Sequence, residues 1–245
     1  MPKPRLRHWV YFFGAVAVLL NAKQPVCALR PCDWLVPFLL LFIILLPLEL
    51  YFLISRSYRI KSHLDQGDPQ KFLDETRKEL AAVPGGTWKD FYKLNSTAGL
   101  YYLGRFEEAL KILDEVRPRK LHKQYTALYF NNKLANLLGV GRVQEAAQLV
   151  EEQADIFRPN RHNQRFYFAL QANLGALKYH QGELEVARHM LEESLAAHRL
   201  PLASAVSHYY LGCIAHDQGR EDDAAVHFAH ARELGERTFV AERLA

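Results

Sequence analysis

Histidine is the residue type in this sequence with the most obvious potential for chemistry, because seven of the eleven histidines follow Lys178. They are His180, His189, His198, His208, His216, His227 and His230. Imidazoles bind metal ions when several converge and are oriented by further hydrogen bonds. His227 and His230 share one helix face, but neither an H-E-x-x-H motif nor a cysteine–histidine spacing accompanies them. The sequence therefore predicts no metal site and no cofactor.

Motifs for catalysis are also missing from the sequence. It contains no G-x-S-x-G motif and no glycine-rich phosphate-binding loop. Cys213 falls on an apolar helix face, which does not favour a reactive thiolate. The acidic run at 221–223 opens a predicted helix, where the helix dipole favours negative charge. We expect no catalytic residue and no enzymatic activity.

The charge of the chain is divided unevenly. The 245 residues carry 31 Lys and Arg against 27 Asp and Glu, a formal net charge of +4. Residues 1–62 hold eight of the basic and only two of the acidic residues. The remaining residues are slightly acidic and contain no nucleic-acid-binding motif, so we expect no nucleic-acid partner.

Residues 34–54 form the most apolar run of the chain, WLVPFLLLFIILLPLELYFLI, with Glu49 as its single charge. At about 1.5 Å per residue, such a helix is roughly 31 Å long. This length matches a hydrocarbon core of about 30 Å, so the sequence predicts a membrane span. Residues 9–22 are apolar over a shorter length and allow three interpretations: a first span of a helical hairpin, a cleaved signal peptide or an interfacial helix.

Basic residues set the predicted orientation of this anchor, residues 1–62. Arg56, Arg59 and Lys61 directly follow the apolar run. Because positive charge stays on the cytoplasmic side of a membrane, we expect the chain beyond the span to be cytoplasmic. An exported domain after a cleaved signal is the alternative.

A repeated pattern occupies the rest of the chain. Four segments begin with glycine and a charged residue: GRFEEALKIL, GRVQEAAQLV, GELEVARHML and GREDDAAVHF. Their glycines are Gly104, Gly141, Gly182 and Gly219, each followed five residues later by Ala109, Ala146, Ala187 or Ala224. The intervals of 37, 41 and 37 residues are typical of a repeated helix pair. The glycine permits a left-handed turn between two helices, and the alanine lies where they cross.

The third unit, Asn173-Leu174-Gly175 … Gly182-Glu183-Leu184 … Ala187, resembles the tetratricopeptide repeat. Leu211-Gly212 … Gly219-Arg220 … Ala224 in the fourth unit is similar to it. The resemblance implies an α-solenoid of helix-turn-helix repeats. With the predicted anchor, the expected fold is all-α, with a transmembrane helix or helical hairpin before the solenoid. Residues 63–90 would form a degenerate first repeat, and residues 91–245 would form four repeats.

Repeat proteins usually bind their partners on the concave surface, which the first helix of each pair lines. Nine residues before the turn glycines stand Asn95, Asn132, Asn173 and Tyr210. The asparagines suit hydrogen bonds to an extended peptide, or they satisfy neighbouring backbone groups. Further aromatic residues could line the same groove or belong to the core: Tyr101, Tyr102, Tyr179 and Tyr209.

Two basic turns between the repeats form a predicted basic edge. They contain Arg117, Arg119, Lys120, Lys123, Arg158, Arg161 and Arg165. Such an edge could contact anionic lipid or an acidic partner, or it is a pair of solvated turns.

Together these features predict a membrane-anchored cytoplasmic scaffold that binds another protein, with membrane lipid as a second partner of its anchor. The alternatives are a metal-binding or enzyme-accessory protein that uses the C-terminal histidines, and an exported repeat domain.

Overall fold

The computed structural model describes residues 32–83, 85–158, 167–197 and 200–245. The helices are α1 (Cys32–Asp65), α2 (Pro69–Ala82), α3 (Thr87–Tyr102), α4 (Phe106–Asp114), α5 (Lys123–Gly139), α6 (Val143–Glu152), α7 (Ala154–Phe157), α8 (Tyr167–His180), α9 (Leu184–Ala197), α10 (Pro201–Asp217), α11 (Glu221–Leu234) and α12 (Phe239–Arg243), with a 3-10 turn at Pro118–Lys120. No strand occurs in the described residues, so the prediction of an all-α fold is confirmed. The chain divides into two units, Met1–Arg59 and Ile60–Ala245.

The predicted span, residues 34–54, lies within α1. Across the part of the chain that the structure describes, no helix meets the length and apolarity needed to cross a membrane. The membrane span therefore stays a prediction from the sequence. The second apolar segment, residues 9–22, lies outside the described residues.

Four helix pairs build the second unit: α3 with α4, α5 with α6, α8 with α9 and α10 with α11. The first helices of successive pairs, α3, α5, α8 and α10, pack on one another in that order. Each second helix also contacts the first helix of the next pair, as α4 does with α5 and α9 with α10. The structure is consistent with the predicted helical-repeat solenoid. Before the first pair, α2 packs on α3, and Ile60 at the end of α1 is buried.

Glycine ends the first helix of every pair in the same way. The φ angles of Gly104, Gly141, Gly182 and Gly219 lie between 69° and 78°, the left-handed region that glycine adopts without strain. After each glycine, the next amide donates to the carbonyl five residues back, as Arg105 does to Leu100 at 2.9 Å. This bond defines the Schellman motif, which satisfies carbonyls left free at a helix end. Gly67, between α1 and α2, has φ 72° and the equivalent bond from Asp68 to His63 at 2.7 Å.

Small residues bring the two helices of a pair together. The alanines five residues after the turn glycines, Ala109, Ala146, Ala187 and Ala224, are all buried. Where Gly212 stands on α10, a Cβ atom would lie 2.5 Å from the ring of Phe228 on α11. At Gly175 on α8 it would lie 2.9 Å from Cγ of Leu191 on α9. The close helix pairs therefore depend on the absence of a side chain at these glycines.

Candidate partner-binding surface

A cavity of about 80 Å³ opens on the side of the repeats formed by the first helices. Side chains from α3, α5, α8 and α10 line it: Ala98, Tyr101, Tyr102, Asn131, Asn132, Ala135, Asn136, Ala169, Ala172, Asn173, Ala203 and Val206. We call this space the inner cavity. Five of its lining residues are alanines, whose short side chains leave the space between the helices unfilled. The surface therefore combines small apolar groups with amides and phenols.

Two of the three predicted groove asparagines line this cavity. Asn132 and Asn173 line it, whereas Asn95 does not. The Asn132 Nδ2 donates to Thr97 Oγ1 at 3.1 Å, which links α5 to α3. The Asn173 Nδ2 donates to Asn131 Oδ1 at 2.8 Å, which links α8 to α5. The amide donors of both residues thus connect neighbouring first helices.

Asn136, which the sequence analysis missed, is the fully buried polar residue of the cavity. Its Nδ2 donates to the Asn132 carbonyl at 2.7 Å, while its Oδ1 has no hydrogen-bond partner among the described residues. Leaving a buried acceptor without a partner costs about 1–3 kcal/mol. A signal was available in the sequence, because Asn136 follows Asn132 by one helical turn and therefore shares its face.

The tyrosines of the cavity remain neutral at physiological pH. Burial raises the pKa of Tyr102 to about 12. Burial also raises the pKa of Tyr101 well above its ordinary value, and the neighbouring Tyr210 and Tyr102 raise it further. Neutral phenols can both donate and accept hydrogen bonds. Tyr101 and Tyr102 therefore add polar groups to the cavity without adding charge.

The remaining predicted groove tyrosines lie beside one another at the far end of α8 and on α10. The rings of Tyr179 and Tyr210 are 5.7 Å apart, and those of Tyr209 and Tyr210 are 5.2 Å apart. Tyr210 is buried, whereas Tyr179 and Tyr209 are half-buried. The structure does not place these three residues in the lining of the inner cavity.

Next to the cavity, the C-terminal helix α12 packs against earlier repeats. The buried Phe239 ring lies 5.4 Å from the ring of Tyr101 and 5.1 Å from that of Phe106. Four residues later, Arg243 Nη2 donates to the carbonyl of Gly139 at 3.1 Å. Its guanidinium also lies 5.7 Å from the Phe106 ring and 5.8 Å from the Tyr209 ring, within the range of cation–π interactions. We call the surface formed by Tyr101, Phe106, Gly139 and Tyr209 the α12 seat.

A second set of contacts holds the segment before α12. Arg237 Nη1 lies 3.4 Å from Asp68 Oδ2. The Asp68 Oδ1 accepts a hydrogen bond from the Lys71 amide at 2.9 Å and so caps α2. Thr238 caps α12, since its Oγ1 accepts from the amide of Val240 at 3.2 Å. None of these C-terminal contacts was expected from the sequence.

The predicted basic edge has one residue with a defined structural role. Arg117 donates from Nε and Nη2 to the buried Asp90 Oδ2, at 3.0 and 2.8 Å. Arg119, Lys120 and Lys123 are exposed, as is Arg158. Arg161 and Arg165 lie outside the described residues.

Three C-terminal histidines meet between α10 and α11. The Nδ1 atoms of His208 and His227 are 3.0 Å apart, and the His230 ring lies 5.0 Å from that of His208. Burial lowers the pKa of His208 to about 4, and the nearby His227 and His230 lower it as well. Within the described ranges, no three His, Cys, Asp or Glu side chains are arranged to hold a metal ion.

Comparison with known proteins supports the repeat assignment. Residues 169–200, which cover α9 and all but the first two residues of α8, match the family model described as tetratricopeptide repeat. The match covers one helix pair, and the other three pairs share its helix–turn–helix arrangement, so the structure and the match together support tetratricopeptide-like repeats. No curated protein and no solved structure matches the chain. Tetratricopeptide repeats generally bind other proteins and are typically non-enzymatic, so the match suggests a role in protein–protein interaction.

Proposed function

We propose that this protein is a membrane-anchored scaffold that binds a partner protein on the surface formed by α3, α5, α8 and α10. The observation that carries the proposal is the inner cavity, to which all four of these first helices contribute side chains. A surface shared by successive repeats is the usual binding surface of helical-repeat proteins.

The chemistry of the cavity suits a segment of polypeptide. Asn132 and Asn173 supply amide groups, and Tyr101 and Tyr102 supply neutral hydroxyls. The alanines leave room for a side chain of the partner. Small apolar pockets with a few placed polar groups are typical of specific binding sites.

Attachment to a membrane, with the repeats on the cytoplasmic side, completes the proposal. Its support is the apolar run at 34–54 and the basic residues Arg56, Arg59 and Lys61 that follow it. In α1, large apolar side chains such as Ile43 and Tyr51 are more than 60% exposed. Anchoring would confine the binding surface to the membrane and raise the effective concentration of partners there.

A cavity-filling variant tests the binding surface. Ala169→Leu combined with Ala203→Leu places two larger side chains in the inner cavity, since both alanines line it. The matched control is Ala225→Leu, on the exposed face of α11. Partner protein recovered with the tagged full chain should fall at least tenfold with the cavity variant and stay unchanged with the control.

Equal recovery by the cavity variant and the wild type would contradict the proposal. Far-UV circular dichroism of each purified chain establishes that the variants keep their helices, because overpacking alone destabilises a core.

A further inference from the structure

We infer that the α12 seat is a binding site for a partner helix that carries an aromatic residue followed four positions later by arginine, and that α12 occupies this site in the free protein. The inference rests on the proposed function, because it names the partner chemistry and the regulation of the same surface. The juxtaposition that carries it is Phe239 and Arg243 packed on residues of the first, second and fourth repeats.

Phe239 and Arg243 have the geometry of a recognition pair. Residues four apart on a helix project from the same face, so both side chains reach the seat together. Phe239 is buried between the rings of Tyr101 and Phe106. Arg243 places its guanidinium over aromatic rings and donates to the Gly139 carbonyl. The seat therefore has an apolar position and a cation position at a fixed separation.

The cation position favours arginine over lysine. Its planar guanidinium can stack on a ring while its N–H groups still reach a carbonyl oxygen. The Arg243 carbon Cζ lies 5.7 and 5.8 Å from the Phe106 and Tyr209 ring centroids, and the Gly139 oxygen is 3.1 Å from Nη2. An ammonium group is a point charge and does not combine these contacts as well.

The α12 helix is short, and few of its side chains are buried. The helix has five residues, and Phe239 and Val240 are its buried members. Arg237 and Arg243, which pair with Asp68 and with the Gly139 carbonyl, are exposed to solvent, and the Leu244 carbonyl accepts a hydrogen bond from Arg232 on the preceding helix. A partner helix with the same pair and a longer contact surface can therefore compete with α12, although the covalent link gives α12 a high effective concentration.

The seat is continuous with the inner cavity through Tyr101. This residue lines the cavity and packs against Phe239. A partner helix that replaces α12 would consequently lie beside the cavity, where its flanking residues can enter. Displacement of α12 would then extend the proposed binding surface to the seat.

The test uses a fluorescein-labelled peptide with the sequence of residues 236–245, ERTFVAERLA, and two forms of the full chain. One is the wild type, whose own α12 competes with the probe. The other carries Phe239→Ala and Arg243→Ala, which weaken α12 and leave the seat residues intact. Fluorescence anisotropy should show the probe binding at least tenfold more tightly to the double variant than to the wild type.

Two controls make the result specific. A peptide in which alanine replaces the phenylalanine or the arginine should bind the double variant at least tenfold more weakly than the probe does. A matched variant, Phe168→Ala with Arg188→Ala, removes an exposed aromatic residue and an arginine from α8 and α9. It should bind the probe no better than the wild type.

Equal probe binding by the folded double variant and the wild type would overturn the inference. Loss of the helical far-UV signal in the double variant would also overturn it, because a segment required for folding cannot be displaced by a partner. The proposed function fails separately: it is contradicted when the cavity-filling variant keeps its partner, whatever the probe does.

Discussion

At the scale of single residues, the buried carboxylate of Asp90 gives Arg117, a residue of the predicted basic edge, a role within the repeats. Asp90 is 3% exposed, and Arg117 donates to it from two nitrogens. The sequence suggested Arg117 as part of a basic edge for lipid or an acidic protein. In the structure its guanidinium links the start of α3 to the turn before α5.

Arg117→Ala should lower the free energy of unfolding by about 1–3 kcal/mol, because it leaves a buried acceptor without its charged donor. The exposed half of the arginine keeps the loss below that of a fully buried pair. Urea unfolding followed by circular dichroism measures it. Arg119→Ala, two residues along and exposed, is the control and should change stability by less than about 0.5 kcal/mol. Equal losses in both variants would contradict the role of the Asp90 pair.

The histidines between α10 and α11 should make stability depend on pH. Because the pKa of His208 is lowered to about 4 in the folded chain from its ordinary 6.5, the unfolded chain binds the proton more tightly. Its contribution to stability is therefore full above about pH 6.5 and is lost as the pH falls towards about 4. The limiting slope for one proton is about 1.4 kcal/mol per pH unit.

Replacing His208 with Gln should flatten this decline, measured as the midpoint of thermal unfolding between about pH 7 and about pH 4.5. The matched control is His189→Gln, an exposed histidine on α9 outside the cluster. It should keep the wild-type pH dependence. An unchanged decline in the His208 variant would refute the assignment.

At the scale of the element, the turn between paired helices is the repeated unit of this fold. Each turn glycine has a positive φ and a Schellman hydrogen bond after it. The same turn at Gly67 precedes α2, where the sequence repeat is weakest. The turn therefore persists where the rest of the motif is degenerate.

Gly182→Ala should destabilise the chain by about 1–2 kcal/mol, since an L-residue in the left-handed region has its Cβ too close to the carbonyl oxygen. Gly182 has φ 78°, and a Cβ atom added to it would meet no atom within 4 Å beyond its own residue and its chain neighbours, so crowding by other parts of the fold does not contribute. Gly182→Asn is the control and should cost less, because asparagine tolerates this conformation. Chemical denaturation measures the free energy of unfolding of both variants. A smaller loss for Gly182→Ala than for Gly182→Asn would contradict this explanation.

The elements that recur were predictable from the sequence, and those that occur once were not. The glycine and alanine spacing predicted helix pairs, because every repeat needs a residue that allows the left-handed turn and a small residue where its two helices cross. The position of α12 follows no period, since Phe239 meets Tyr101 from a distant part of the chain. Asn136 was missed because it stands outside the register of Asn132 and Asn173, although it shares a helix face with Asn132.

At the scale of the whole molecule, the inner cavity and the α12 seat adjoin one another, and both belong to the proposed binding surface. The cavity collects side chains from four first helices, and α12 occupies the adjoining seat. Tyr101 belongs to both. A partner that displaces α12 would therefore reach a surface that the free chain partly covers with its own residues.

Site-specific photocrosslinking tests the central claim, partner binding on the first-helix surface, most directly. Benzoylphenylalanine is placed at Tyr102, which lines the inner cavity, or at Val226, which is 57% exposed on α11. After irradiation of membranes that contain the full chain, position 102 should give a covalent adduct with a second protein, and position 226 should not. Adducts from position 226 with none from position 102 would contradict the proposed binding surface.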